Sequence, residues 1–154
     1  MISLGDSLSN FKGDTLRVLE VGSGVGNMLP RLIRRGVFDG PFSIEYTGID
    51  IDPDLARRSL DGVAQWAAPL GLDIQHREES QYELVMEGRR VCVNYQPSSL
   101  EDWAKRDPCQ GAYDLVVAQA VLDILDARVA VEQVFSLLAP GGFYYFPIHF
   151  DGNT

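Results

Sequence analysis

Hydrophobic residues along this chain fall into two alternating patterns. Short, nearly continuous apolar runs lie at 15–21, about 43–49, 91–95, 113–118 and 143–148. Runs of this length, bounded by turn-forming residues, predict strands buried on both faces. Between them, apolar residues recur at helical spacing. Residues 27–35 form one such stretch. Residues 53–68 form another, with Leu55, Leu60, Val63, Ala64 and Ala67 on one stripe. Asp52 precedes it as an N-cap, Pro53 opens its first turn, and Pro69 and Gly71 end it. A last helix follows Asp126 as its cap. It turns Val129, Val131, Val134, Phe135 and Leu138 inward, and Gly141-Gly142 stops it. Strands alternating with helices predict an α/β fold, a parallel sheet covered on both faces. Residues 81–86 and 91–95 read as two strands joined by a turn at 87–90. The competing reading of this stretch is an irregular surface loop.

The junction between the first strand and its helix is the most informative stretch. It runs Val18-Leu19-Glu20-Val21-Gly22-Ser23-Gly24-Val25-Gly26, an apolar strand, a carboxylate and then glycine at every second position. Glycines there let a ligand lie directly on the backbone, where a side chain would fill the space or demand a strained φ. The helix that follows aims its free N–H groups the same way. The spacing is G-x-G-x-G. The dinucleotide fingerprint is G-x-G-x-x-G, and Asn27 stands where its third glycine belongs, which disfavours NAD. A tight strand-to-helix turn without a ligand is the alternative.

A second acid favours a ligand. Ile44-Glu45-Tyr46-Thr47-Gly48-Ile49-Asp50 is a strand ending in a carboxylate, 24 residues beyond Gly26. In a βαβ unit this places Asp50 at the end of the adjacent parallel strand, where it can accept two bonds from ribose hydroxyls.

With these residues in place, the sequence resembles the class I S-adenosylmethionine-dependent methyltransferases. The matching segments are VLEVGSGVG (18–26), TGIDIDP (47–53), YDLVVAQAVLDIL (113–125) and LLAPGGFYYF (137–146), in the family's order. The resemblance implies a doubly wound, Rossmann-like sheet in strand order 3-2-1-4-5, with residues 81–95 as an extra antiparallel hairpin at the edge. It implies S-adenosylmethionine as cofactor. Gly22, Gly24 and Gly26, with Ser23 among them, would border its methionine part. Glu20 would order the loop and reach the amino group. Asp50 would hold the ribose, and Ile51 would pack on the adenine. Ser99 and Leu100 stand where the family contacts the adenine edge, although Ser99 and Asp102 also have the spacing of a helix cap. Gln119 follows the fourth strand at the crevice where ligands bind in such sheets.

Composition agrees with one globular domain over residues 1–154 and narrows its partners. Net charge is −9, spread along the chain, and the close basic pairs Arg34-Arg35, Arg57-Arg58 and Arg89-Arg90 make no stripe. Nucleic acid and anionic membrane surfaces are thus disfavoured. Cys92 and Cys109 read as free thiols in a reducing compartment. No C-x-x-C or H-E-x-x-H motif indicates a metal, no apolar run approaches 18 residues, and MISLGDSLSN is no signal peptide, so a cytoplasmic protein is expected.

Methyl transfer is an in-line displacement in which the cofactor carries the reactivity. A base helps with some acceptors. His149, just beyond the fifth strand, is the candidate, with a solvated or packed histidine as the alternative. Asp123 would position a cationic acceptor or serve as a helix-start carboxylate. The chain ends five residues after His149. The family's last two strands are therefore expected to be absent, and strand 143–148 would present an open edge for a homodimer. The leading expectation is a methyltransferase core acting on a small-molecule acceptor. The alternatives are a non-catalytic cofactor-binding module, a fragment of a larger protein and, less favoured, an NAD-dependent enzyme.

Overall fold

The computed structural model describes residues 4–118 and 126–146. A short helix, α1 (Leu4–Leu8), precedes β1 (Thr15–Val21), α2 (Met28–Arg34), β2 (Ser43–Asp50) and α3 (Pro53–Trp66). Strands β3 (Leu72–Arg77), β4 (Gln81–Met86) and β5 (Arg89–Pro97) come next, then α4 (Leu100–Ala104), β6 (Tyr113–Ala118), α5 (Ala127–Leu137) and β7 (Leu138–Tyr145). They form one sheet of seven strands in the order β3-β4-β5-β2-β1-β6-β7. The five strands β5-β2-β1-β6-β7 are parallel, which is the expected 3-2-1-4-5 order. The expected hairpin is also present, with β4 antiparallel to β5.

Two cores lie on opposite faces. One packs α1, α2 and α3 against Leu16, Val18, Ile44, Tyr46, Val91, Val93 and Leu115. The other packs α4 and α5 against Leu19, Val21, Ile49 and Val116. The alternation along β1 thus divides its side chains between two buried faces, as a doubly wound sheet requires. Glu87 and Gly88 both have positive φ, 52° and 78°, in the two-residue turn between β4 and β5. That geometry matches the right-handed twist of a hairpin. The Arg89 guanidinium then ties the hairpin to the α2–β2 connection, donating to the carbonyls of Phe38, Gly40 and Phe42.

The structure departs from the sequence pattern in four places. Residues 72–77 form an antiparallel edge strand that the pattern did not reveal, because only Leu72 is buried and the rest faces water. Helix α3 ends at Trp66, and residues 68–70 form a 3-10 turn closed by Gly71 at φ 82°. The last helix buries Ala130, Val134 and Leu137, which turns Val129 and Phe135 to solvent. It also ends before Gly141-Gly142. Leu138 is already extended, and the glycines lie inside β7, where pairing with β6 skips from Leu138 to Phe143. Gly141 at φ 77° permits that bulge. The edge strand consequently spans 138–145, earlier than 143–148, and residues 147–148 lie outside the described residues.

Candidate functional site

The glycine loop joins β1 to α2 at the C-terminal end of the parallel strands, where open α/β sheets bind ligands. All three glycines are left-handed, Gly22 at φ 72°, Gly24 at φ 55° and Gly26 at φ 80°. They differ in what surrounds them. A Cβ on Gly26 would lie 2.9 Å from the Cβ of Ser59 on α3, so this glycine allows close helix–loop packing. A Cβ on Gly24 would meet nothing within 4 Å, so its face is open.

Backbone bonds hold the loop to β2. Gly22 and Ser23 both donate N–H to the Ile49 carbonyl, at 2.9 and 3.0 Å. Gly24 N–H donates to Asp50 Oδ2 at 2.9 Å, and Asp52 N–H donates to Asp50 Oδ1 at 2.9 Å. From the other side, the Ser59 hydroxyl donates to the Gly24 carbonyl at 2.8 Å. Asp50 therefore accepts one bond on each oxygen. A carboxylate offers roughly four acceptor sites, so capacity for a diol remains. Ile51, next to it, is 79% exposed and so has a free apolar face beside the loop. Asp52 takes the expected capping role, accepting from Asp54 N–H at 2.9 Å.

Glu20 lies beneath the loop at 1% exposure. The Tyr46 hydroxyl donates to its Oε2 at 2.5 Å. Burial pushes the Glu20 carboxyl up to about 7 from 4.5, the Tyr46 bond pulls it down, and the Asp50 charge adds to the rise. The hydroxyls of Ser23 in the loop and of Tyr95 on β5 are both buried and have no hydrogen-bond partner among the described residues. Buried hydroxyls are normally paired, and unpaired ones at a site point to water or ligand.

The remaining candidates separate. Ser99 caps α4, accepting from Asp102 N–H at 3.0 Å, and the Leu100 side chain is buried in the second core. The Ser98 N–H donates to the Asp50 carbonyl at 2.9 Å, so the β5 end still borders the crevice. Gln119, Asp123 and His149 lie outside the described residues. A groove of about 660 Å³ lies behind the loop between α2 and α3 and is lined by Gly26, Arg31, Arg34, Arg58 and Trp66. Of the described candidate site residues, Gly26 alone lines it. Among the described residues no cluster of His, Cys, Asp and Glu fits a metal ion. No described helix is long and apolar enough to cross a membrane.

Tyr46, Tyr95 and Ser59 were not foreseen. Their signal was a polar tip at core positions of strand or helix, which needs a partner when buried.

This fold and loop define a nucleotide-cofactor core of the methyltransferase type. The chain matches the family described as "Methyltransferase domain" over residues 1–150, and it belongs to that family. No curated protein matches it. Among solved structures, it is similar to the CurJ carbon methyltransferase at 19% identity and TM-score 0.61, over 90% of this chain and 31% of that one. The DszA carbon methyltransferase gives 19% and 0.55, over 83% and 27%. A protein from Listeria monocytogenes, described as a class I S-adenosylmethionine-dependent methyltransferase, gives 16% and 0.53, over 93% and 42%. These likenesses show the fold. The chain spans less than a third of the two carbon methyltransferases.

The raised Glu20 carboxyl has a consequence for stability. The folded state holds this proton more tightly than the unfolded state. The contribution is therefore fully present below 4.5 and lost as pH rises through about 7. Glu20→Gln does not titrate. Its stability relative to the wild type should grow by about 3 kcal/mol between pH 4 and pH 8. Urea unfolding at the two pH values measures this, and a constant difference contradicts it.

Proposed function

We propose that the chain binds S-adenosylmethionine and transfers its methyl group to a small-molecule acceptor. The observation that carries this reading is the pair of carboxylates at the loop. Glu20 is buried beneath it, and Asp50 is tied to it through Gly24 N–H. The open face at Gly24 and the unpaired hydroxyls of Ser23 and Tyr95 fit the polar amino-acid end of such a cofactor. In this reading Glu20 accepts from its ammonium, Asp50 from its ribose hydroxyls, and exposed Ile51 covers one adenine face. Ser23 and the glycines line the loop side. Leu100 offers backbone near the β5 end. Ser99 takes part only beyond its capping bond.

The bound cofactor supplies an activated methyl on a sulfonium. What this chain contributes is orientation and desolvation, since an in-line displacement needs alignment above all. Gln119 and His149 stay in this reading as crevice residue and acceptor base. A small-molecule acceptor is supported by the acidic composition, as nucleic acid and anionic membranes prefer basic surfaces. Free Cys92 and Cys109 support a reducing, cytoplasmic setting. One domain over 1–154 is supported by the continuous sheet.

Calorimetric titration should show binding of S-adenosylhomocysteine and none of NAD; preference for NAD contradicts the reading. Asp50→Ala should weaken binding by about 1–3 kcal/mol through loss of charge-assisted bonds. Unchanged affinity removes Asp50 from the site.

Among the described residues β7 is an edge strand, which supports a homodimer. Phe143 and Tyr144 are exposed there, and Tyr144 stacks edge-on against exposed Phe135 at 5.6 Å. Open edges with large apolar groups favour association. Light scattering at micromolar concentration should report a dimer, and a clean monomer contradicts this pairing.

A further inference from the structure

Glu20 is a buried carboxyl that no described cation pairs with. Strand register explains its surroundings. Val18 lies opposite Tyr46, Glu20 opposite Gly48, and Gly48 opposite Tyr95. Tyr46 therefore stands one pleat below Gly48 on the face that carries Glu20, and its phenol reaches the carboxyl diagonally. Gly48 has no side chain, and the Tyr95 ring fills that space. A Cβ on Gly48 would lie 2.5 Å from two carbons of the ring and 3.1 Å from the Ser23 Cβ. The Tyr46 and Tyr95 rings meet edge to face, with centroids 6.5 Å apart.

The described titratable groups facing Glu20 are thus Tyr46 on β2, Tyr95 on β5 and Asp50 at the end of β2. From β6, the residue in register with Glu20 is Val117. The buried positions of α2 and α3 on this face, among them Met28, Leu29 and Ser59, carry no charge. Burial without a cation favours the protonated carboxyl, whereas a single strong donor favours the ionised one. The Glu20 proton is held at about 7 by these opposing effects, within reach of either state.

We propose that Tyr46 is a positioning residue for cofactor binding: its phenol fixes the Glu20 carboxyl under the glycine loop, and entry of a cationic ligand group expels the proton of Glu20 to solvent. This rests on the reading of the loop as the S-adenosylmethionine site. The proton balance is simple. The ligand ammonium stays protonated, Glu20 changes from carboxylic acid to carboxylate, and one proton passes to buffer. Binding is then proton-linked, and Tyr46 sets the pH at which the linkage acts.

Titration calorimetry with S-adenosylhomocysteine, in two buffers of different ionisation heat, tests this from pH 6 to pH 8.5. The wild type should lose about tenfold in affinity from pH 8 to pH 6 and release close to one proton per site at pH 6. Tyr46→Phe keeps the ring and removes the donor, so the linkage moves to higher pH. Its affinity should fall about tenfold below wild type at pH 7 and recover most of that by pH 8.5. Glu20→Gln should bind weakly with no pH dependence. A loss in Tyr46→Phe that is equal at every pH overturns the proposal, because a merely structural role has that signature. A ligand-free measurement separates the two readings. The Glu20 side-chain carboxyl carbon, followed by NMR in the free protein, should titrate near neutral pH and move upward in Tyr46→Phe. A resonance unmoved by the substitution overturns the role of Tyr46. Failure of S-adenosylhomocysteine to bind at any pH overturns the cofactor reading itself.

Discussion

The parallel register of β1 with β2 is the constraint on which the site depends. It sets Glu20 opposite Gly48 and ends both strands together, so that the loop after Val21 meets the carbonyl of Ile49 and the carboxylate of Asp50. Side chains alternate along a strand, so a slip of one residue would turn Glu20 to the face of α4 and α5 and bring Leu19 beneath the loop. Both faces are buried, and the apolar sets on each would be inverted at the same time. The register is therefore fixed by hydrophobic burial far from the loop, and the carboxylates inherit their positions from it. This is how a core made of Leu16, Val18, Ile44 and Val93 specifies where two charges lie.

Much of this was legible in the sequence, for identifiable reasons. The parallel strands are continuous apolar runs, and such runs are read easily because both faces are dry. The glycine loop was legible because its residue types answer a backbone demand, and all three glycines are left-handed. Asp50 and Glu20 were legible by their places at the ends of strands. What the pattern hid was of two kinds. β3 has one buried residue, so its pairing with β4 leaves no hydrophobic trace. The glycines at 141–142 carry a turn signal that served a bulge inside a strand, since one residue type meets both needs. The tyrosines at 46 and 95 looked like ordinary strand aromatics. Their partnership with Glu20 follows only from the lateral register of three strands, which a linear pattern does not contain.

The polar chemistry under the loop has a consistent electrostatic logic. The sheet interior raises the cost of charge at Glu20, Asp50 raises it further, and among the described groups Tyr46 offsets part of it. Tyr46 and Tyr95 are themselves held protonated, by burial first and by the Glu20 charge second. They are therefore donors available to a carboxylate and never bases. The methyltransferase-domain family to which the chain belongs supplies the general frame, and the solved carbon methyltransferases share its fold. The balance of burial, phenols and an open face at Gly24 is what this sequence builds within that frame.

In the proposed reading the ends of β1 and β2, with the loop between β1 and α2, form the ligand surface. Backbone amide NMR of the labelled protein, titrated with S-adenosylhomocysteine, tests it most directly. The largest shift changes should fall on Gly22, Ser23, Gly24, Gly26, Asp50 and Ile51, with the amides of α5 and of the β3–β4 edge unmoved. Changes centred instead on the groove of Arg31, Arg34 and Arg58 between α2 and α3 would contradict it.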